Sequence, residues 1–433
     1  MMAKLLCLVG ALALAACSSS STTSSSGSSG SAASAGSTGS SASSGSSGLS
    51  GSGGSTASSS SGSSGTAPPL PAGMTVASGF QGATIAQVPG ARELAALPNG
   101  DLLVGTSSSV VYLVHDVEGT GAARAPIEFI TLSDAHASGV AYADGFVYIA
   151  AEQGIWKVPY QLGDEAPPHS AAVRMAQVRT GQVAPGSDGD VHVTTSIAVG
   201  ASKLYVSVGS SCNACTEVDP TRAVILQMDL DGSNITTLAT RIRNAIALAV
   251  NPATGTLWAG GAGQDNLPVP HPYEFMDPVT LRAAPADYGW PECEEDHVAY
   301  VNGADCTGTI APALEFTAYA THVGAVFYPQ DQTGAYAFPT QSRGLYVANH
   351  GSWHANPATP PTVDFVRMNG DVPAVAVNWS DPTAQVATFL GGMGTTANTH
   401  YLARPTGIAV GAQGSLLVAD DKNGAIYRIR PIP

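Results

Sequence analysis

Basic residues are scarce in this chain: 17 Lys and Arg stand against 32 Asp and Glu in 433 residues, a formal net charge of −15. Phosphate binding needs clustered Lys and Arg, so nucleic acid is excluded as the expected partner. Long apolar runs are missing beyond the N-terminus, which leaves no second membrane-spanning candidate. No long stretch has apolar residues at helical spacing, and this argues against a helical fold. No CxxCH occurs either, so no attached haem is expected; Cys212-Asn213-Ala214-Cys215-Thr216 lacks the histidine.

At the N-terminus stand one lysine, an apolar stretch over residues 5–16 and small residues before Cys17, the pattern of a secretory signal. Leu14, Ala15, Ala16 and Cys17 resemble the lipobox of bacterial lipoproteins. That resemblance implies removal of residues 1–16 and a lipidated Cys17. Ser18 after the cysteine implies the outer membrane of a Gram-negative cell envelope, with the folded part facing the periplasm or the cell surface. Residues 17–66 are then the lipidated cysteine and a linker almost wholly of Ser, Gly, Ala and Thr, which cannot bury a core and is expected to be disordered. Roughly fifty such residues reach about 40 Å, enough to float a domain clear of the lipid. The membrane is met through the lipid anchor only.

In an oxidising compartment the close sequence couples among the later cysteines predict two disulfides, Cys212–Cys215 and Cys293–Cys306. A zinc site matches these spacings poorly.

Residues 67–433 carry a unit that recurs six times: an Arg or His, a short apolar run, in most copies a Gly-containing turn, then a strand-like run. The copies start at Arg92, His136, His192, Arg243, His322 and Arg404; two of them read RELAALPNGDLLVGT and HASGVAYADGFVYIA. A hairpin recurring in this way is a radial β-repeat, so the expected fold is all-β, a six-bladed β-propeller with about 60 residues per blade. Equivalent positions then ring one end of the central tunnel, and the wider gaps before His322 and Arg404 hold long loops. The ring has no acidic member, which argues against a metal-dependent lactonase or hydrolase. Two readings of its cations stay open. They line a binding site, or they hold the tunnel of a non-catalytic glycan- or protein-binding propeller closed.

Several segments weigh towards a site: Arg243-Asn244, then Gly263-Gln264-Asp265-Asn266, Glu274 and Asp287-Tyr288-Gly289-Trp290-Pro291. With GSSCNAC (209–215), HGSW (350–353) and RPTGIAVGAQGSLLVADD (404–421), they resemble the glucose/sorbosone dehydrogenase family over nearly all of the chain after about residue 75. Members of that family are six-bladed propellers that use pyrroloquinoline quinone (PQQ) and calcium, and they include soluble aldose and pyranose dehydrogenases. The resemblance implies oxidation of a small sugar at its anomeric carbon, with electrons passing to an acceptor that the sequence does not identify. By the same resemblance Arg243, Asn244 and Arg404 contact the quinone, and the carbonyls of Gly263 and Gln264 bind calcium. His192 matches the catalytic base. Chemistry agrees: a planar tricarboxylate calls for forked cations, calcium for oxygen donors, and a base near pH 7 for a neutral imidazole. Tyr288 and Trp290 are either an apolar wall for a sugar face or core residues of a loop, and His350 and Trp353 share that ambiguity. His136 and His322 read as tunnel residues.

The chain departs from the family pattern at four places. Thr195 stands where many relatives have an arginine, and Asp364 where a lysine is frequent. Gln264 replaces a basic residue, and Pro272-Tyr273 an acidic pair. The losses at Thr195 and Asp364 favour the non-catalytic reading.

Overall fold

Short runs of β-branched and aromatic residues between Gly-, Asn- and Asp-bearing turns form almost nothing but strands here. The computed structural model describes residues 66–167, 171–178, 180, 191–381 and 383–433, and these contain no α-helix. The expectations for the signal, Cys17 and the linker lie outside the described residues, except that Thr66 makes a bridge to Gly121.

Six sheets of four or five strands, antiparallel but for one added strand, form the blades. Each sequence repeat supplies the inner two strands of one. Blade 1 opens with Ala91–Ala96 and Leu102–Thr106, blade 2 with Gly139–Ala143 and Phe146–Ala150, and blade 3 with Thr195–Val199 and Lys203–Val208. Blade 4 opens with Ala247–Val250 and Leu257–Gly261, blade 5 with His322–Phe327 and Leu345–Asn349, and blade 6 with Pro405–Val410 and Leu416–Asp420. The turn chemistry sets the register: Ala143 pairs with Phe146 across Asp144-Gly145, both at positive φ, as a two-residue type I′ hairpin requires.

The six innermost strands pack side by side in a closed ring, from blade 1 through blade 6 and back. Their inward side chains, Leu94, Val140, Ile197, Leu248, Ala325 and Ile408, make the tunnel wall apolar. The ring is closed by pairing an early strand with the last one: the outer strand of blade 6 is Phe80–Gln87, laid against Ala425–Pro431. Aromatic and aliphatic residues fill the spaces between blades. Phe338, Tyr346, Phe389 and Tyr427, for example, are buried between blades 5 and 6.

The wide gaps hold loops, as expected. In the first, Ala286–Asp287 adds a parallel strand to blade 3, and Cys293–Glu294 pairs with Val298–Ala299. Both predicted disulfides are present, Cys212–Cys215 and Cys293–Cys306.

Candidate functional site

Arg92 lies within the inner strand of its blade, His322 begins one, and the other ring residues stand just before theirs, so all six come to one end of the tunnel. The pairing register slips in blade 1 between Ala91 and Leu94, in blade 5 between His322 and Gly324, and in blade 6 between Pro405 and Ile408. Bulges of this kind re-aim side chains at the end of a ladder.

His192 precedes the inner strand of blade 3. Its Nδ1 lies 2.9 Å from the carbonyl oxygen of Ser210 and 3.0 Å from that residue's hydroxyl. Burial, then the charges of Arg243 and Arg222, push the imidazole down to about 3, so it is neutral near pH 7. Gly209 makes the approach possible: a Cβ there would meet Oδ1 of Asn244 at 2.5 Å and Cβ of His192 at 2.7 Å. Asn244 and His192 thus converge on Gly209.

Arg243 is 5% exposed and its guanidinium is fully engaged. Nε donates to the Asn213 carbonyl at 2.9 Å, and Nη1 to the carbonyls of Gly263 at 2.7 Å and Ala262 at 3.3 Å. Nη2 donates to Oδ1 of Asn213 at 2.9 Å and to the Asp265 carboxylate at 3.0 Å. The Gly263 oxygen expected to bind calcium therefore accepts from an arginine here. Two buried carboxyls border the same turn. Glu274 accepts from the Gly263 N–H at 3.0 Å, and Glu294 accepts from Nε2 of Gln264 at 3.0 Å. Burial holds Glu274 well above the usual carboxylate range, and burial followed by the Glu295 charge pushes Glu294 up to about 8. Sequence reasoning missed Asn213 and Glu294; the only signal for either was its place in or beside a quoted motif.

Across the ring, Arg404 donates from Nε to the His350 carbonyl at 3.0 Å and from Nη2 to the Gly351 carbonyl at 2.9 Å. His350 Nε2 lies 2.9 Å from one oxygen of Asp421, and Arg92 Nη1 lies 2.8 Å from the other. Although burial opposes it, His350 and Arg92 hold the Asp421 carboxyl low. Asp421 thus ties two ring cations' surroundings together.

Other sequence expectations resolve into packing. His322 is fully buried, with Nδ1 2.7 Å from Oδ1 of Asn349 and its ring against Phe316. Asn349 also donates to Asp364 at 2.7 Å, so Asp364 belongs to a buried polar chain. Thr195 is buried with no partner for its hydroxyl among the described residues. His136 lies 3.6 Å from Glu152. Tyr288 and Trp290 are each 2% exposed, which favours the core alternative over the sugar wall. The Tyr288 hydroxyl donates to Asp277 at 2.7 Å and its ring stacks on Phe275, while Trp290 packs on Cys212. The exposed ring is Trp353, 61% accessible, whose Nε1 donates to Asp265 at 3.3 Å.

The residues present are compatible with the implied groups: two buried carboxyls, Glu274 and Glu294, border the Gly263 turn with oxygen donors of the kind a hard divalent cation takes, and Arg92, Arg243 and Arg404 stand at one end of the tunnel.

Comparison with known proteins agrees with the fold. Residues 286–431 match the TrAA12-like family model. A Trichoderma reesei protein of Carbohydrate-Active Enzymes Family AA12 superposes with TM-score 0.69 at 18% identity, over 85% of this chain and 99% of that one. The PQQ domain of pyranose dehydrogenase from Coprinopsis cinerea, in its holo form, gives 0.68 at 16% identity, over 84% and 98%. The PQQ-bound aldose sugar dehydrogenase of Streptomyces coelicolor gives 0.54 at 18%, over 82% and 99%. An uncharacterised protein of Borreliella burgdorferi is 23% identical over 342 residues, 76% of this chain and 83% of its own length.

Proposed function

We propose that this propeller is a PQQ- and calcium-dependent dehydrogenase that oxidises an aldose or related sugar to a lactone or acid. The observation that carries the reading is His192, a neutral imidazole on the ring with one nitrogen committed to a carbonyl and two arginine charges beside it. Because a carbonyl only accepts, Nδ1 carries the proton and Nε2 keeps its lone pair for a sugar hydroxyl.

The calcium would be held by the Gly263 and Gln264 carbonyls with Glu274 and Glu294 as neighbours. Arg243, Asn244 and Arg404 would hold the quinone. When bound, the quinone supplies the two-electron acceptor for hydride. His192 takes the hydroxyl proton at Nε2. Arg243, whose Nη2 donates to Asp265 at 3.0 Å, would turn that donor to a cofactor carboxylate. The carboxylates of a bound cofactor would offset part of the arginine charge that depresses His192. Trp353 offers an exposed apolar face to the sugar.

The lipobox-like residues 14–17 support a lipid-tethered place in the cell envelope. Mass spectrometry of the N-terminal peptide from membrane fractions tests it: an unlipidated Cys17 would refute the tether.

The deciding experiment adds PQQ and calcium to the purified full chain and records the cofactor spectrum before and after a panel of aldoses. Reduction of bound quinone by one sugar is the expected result. A complex that no sugar reduces refutes the substrate class. No binding refutes the dehydrogenase and favours the second reading, a non-catalytic propeller, which the full engagement of Arg243 by protein acceptors supports.

A further inference from the structure

The four residues from Cys212 to Cys215 join two parts of the proposed site, the Arg243–Asp265 cluster and, through Ser210, His192. Asn213, inside the ring closed by the disulfide, accepts two bonds from Arg243, one on its carbonyl and one on Oδ1. The same Oδ1 accepts from the Asp265 N–H at 2.7 Å, and Nδ2 donates to the Asp265 carbonyl at 3.2 Å. The Asn213 carbonyl also accepts from Nε1 of Trp290 at 3.1 Å. At the other end of the loop, the Cys212 carbonyl accepts from the Ser210 hydroxyl at 2.7 Å, and that hydroxyl lies 3.0 Å from Nδ1 of His192.

The two disulfides differ in access. Cys293 and Cys306 are 1% and 6% exposed, whereas Cys212 is buried and its partner Cys215 is half-exposed beside the exposed Ala214. Of the two disulfides, Cys212–Cys215 is therefore the more open to a reductant. Ser211 is fixed independently, its N–H and hydroxyl both donating to Glu217 at 2.6 and 2.8 Å, so residues 213–216 are what the disulfide restrains.

We propose that Cys212–Cys215 is a redox-sensitive clasp, with Asn213 as the positioning residue that holds Arg243 and the 263–266 turn in register; as a control on cofactor affinity it rests on the quinone reading above. A dithiol reductant attacks the Cys215 sulfur and Cys212 leaves as thiolate. The second thiol then releases Cys215 and the reductant ends as its own disulfide. Two electrons and two protons pass to the cysteines. With the ring open, the Asn213 carbonyl is free to turn from Arg243, and both the quinone grip and the calcium turn loosen.

The test uses the full chain and two readouts, amide hydrogen exchange over residues 209–216 and 263–266, and PQQ affinity in calcium. Cys215→Ser is expected to speed exchange at 263–266 at least tenfold and weaken PQQ binding at least tenfold. Asn213→Ala, which leaves the disulfide intact, should do the same, and the double variant should be no worse than Asn213→Ala alone. Mild phosphine treatment of the wild type should expose Cys212 and Cys215, but not Cys293 and Cys306, to alkylation. Removal of the phosphine and reoxidation of an unalkylated sample should restore both readouts. Exchange at 263–266 within twofold of wild type in Cys215→Ser would overturn the clasp. Should the oxidised wild type bind no quinone, the dehydrogenase reading fails, and exchange alone decides the clasp.

Discussion

Nδ1 of His192 lies 2.9 Å from the Ser210 carbonyl, and this contact fixes Nε2 as the basic atom of the ring. His192→Ala should therefore abolish sugar-dependent quinone reduction and leave cofactor affinity nearly unchanged. Full turnover would end its assignment as the base. The sign of its pH effect follows from burial and the arginine charges. The folded pKa, about 3, lies below the unfolded 6.5, so the neutral imidazole contributes stability that is complete above 6.5 and is lost as pH falls towards 3. The melting-temperature gap between wild type and His192→Ala should be constant above pH 7 and change in the acid range.

Arg243→Ala should weaken PQQ binding by about 2–4 kcal/mol, the scale of a buried charge-assisted contact. Titration calorimetry reads this directly. Unchanged affinity would make Arg243 a structural member of the Asn213 network and nothing more.

Calcium should raise the melting temperature of the full chain, because a ligand of the native state stabilises it by mass action. Glu294→Gln keeps the bulk and the Gln264 contact while removing a carboxylate from the edge of the 263–264 turn. The calcium-induced shift should shrink in that variant and persist in Glu217→Gln, whose carboxylate serves Ser211 instead. Equal shifts in the two would place the metal elsewhere.

The hairpins were legible because each repeat pairs a strand-period apolar pattern with its own turn, as in Ala143-Asp144-Gly145-Phe146. The disulfide pairs were legible from short spacing. What the sequence hid is what long-range packing decides. Nothing local in residues 80–87 announces that they complete the last blade, where Phe80 pairs with Pro431 and Gln87 with Ala425, since a half-buried edge strand reads alike in any sheet. Glu274 and Glu294 meet at one turn only because the chain folds back through the loop between them. Tyr288 and Trp290 belong to a motif, but a motif does not reveal which face of a loop is covered.

That distinction separates two aromatic variants. Trp353→Ala removes an exposed ring and should change stability by less than about 0.5 kcal/mol, as surface substitutions do. Sugar KM should rise several-fold with a smaller change in kcat. Tyr288→Phe removes a buried donor to Asp277 and should cost about 1–2 kcal/mol in denaturant unfolding with KM unchanged. The opposite pattern would return Tyr288 to the sugar-binding face.

Glu93 is a carboxyl set against the apolar tunnel wall, with Oε1 cut off from solvent and unpartnered among the described residues. Burial pushes it up from 4.5 to about 8, against smaller opposing effects of Ser196, Arg92 and the Ile197 N–H. The folded state thus keeps a proton that the unfolded chain releases above about 4.5. The stability this gives is full below 4.5 and is lost as pH rises through about 8. Wild type should accordingly lose stability between pH 5 and 8, and Glu93→Gln, neutral at every pH, should lose measurably less. The carboxyl lies in the tunnel rather than on the 263–264 turn, so calcium should leave the difference between the two proteins unaltered. Parallel pH slopes for wild type and Glu93→Gln would show that water or an ion reaches the tunnel carboxyl and keeps it charged.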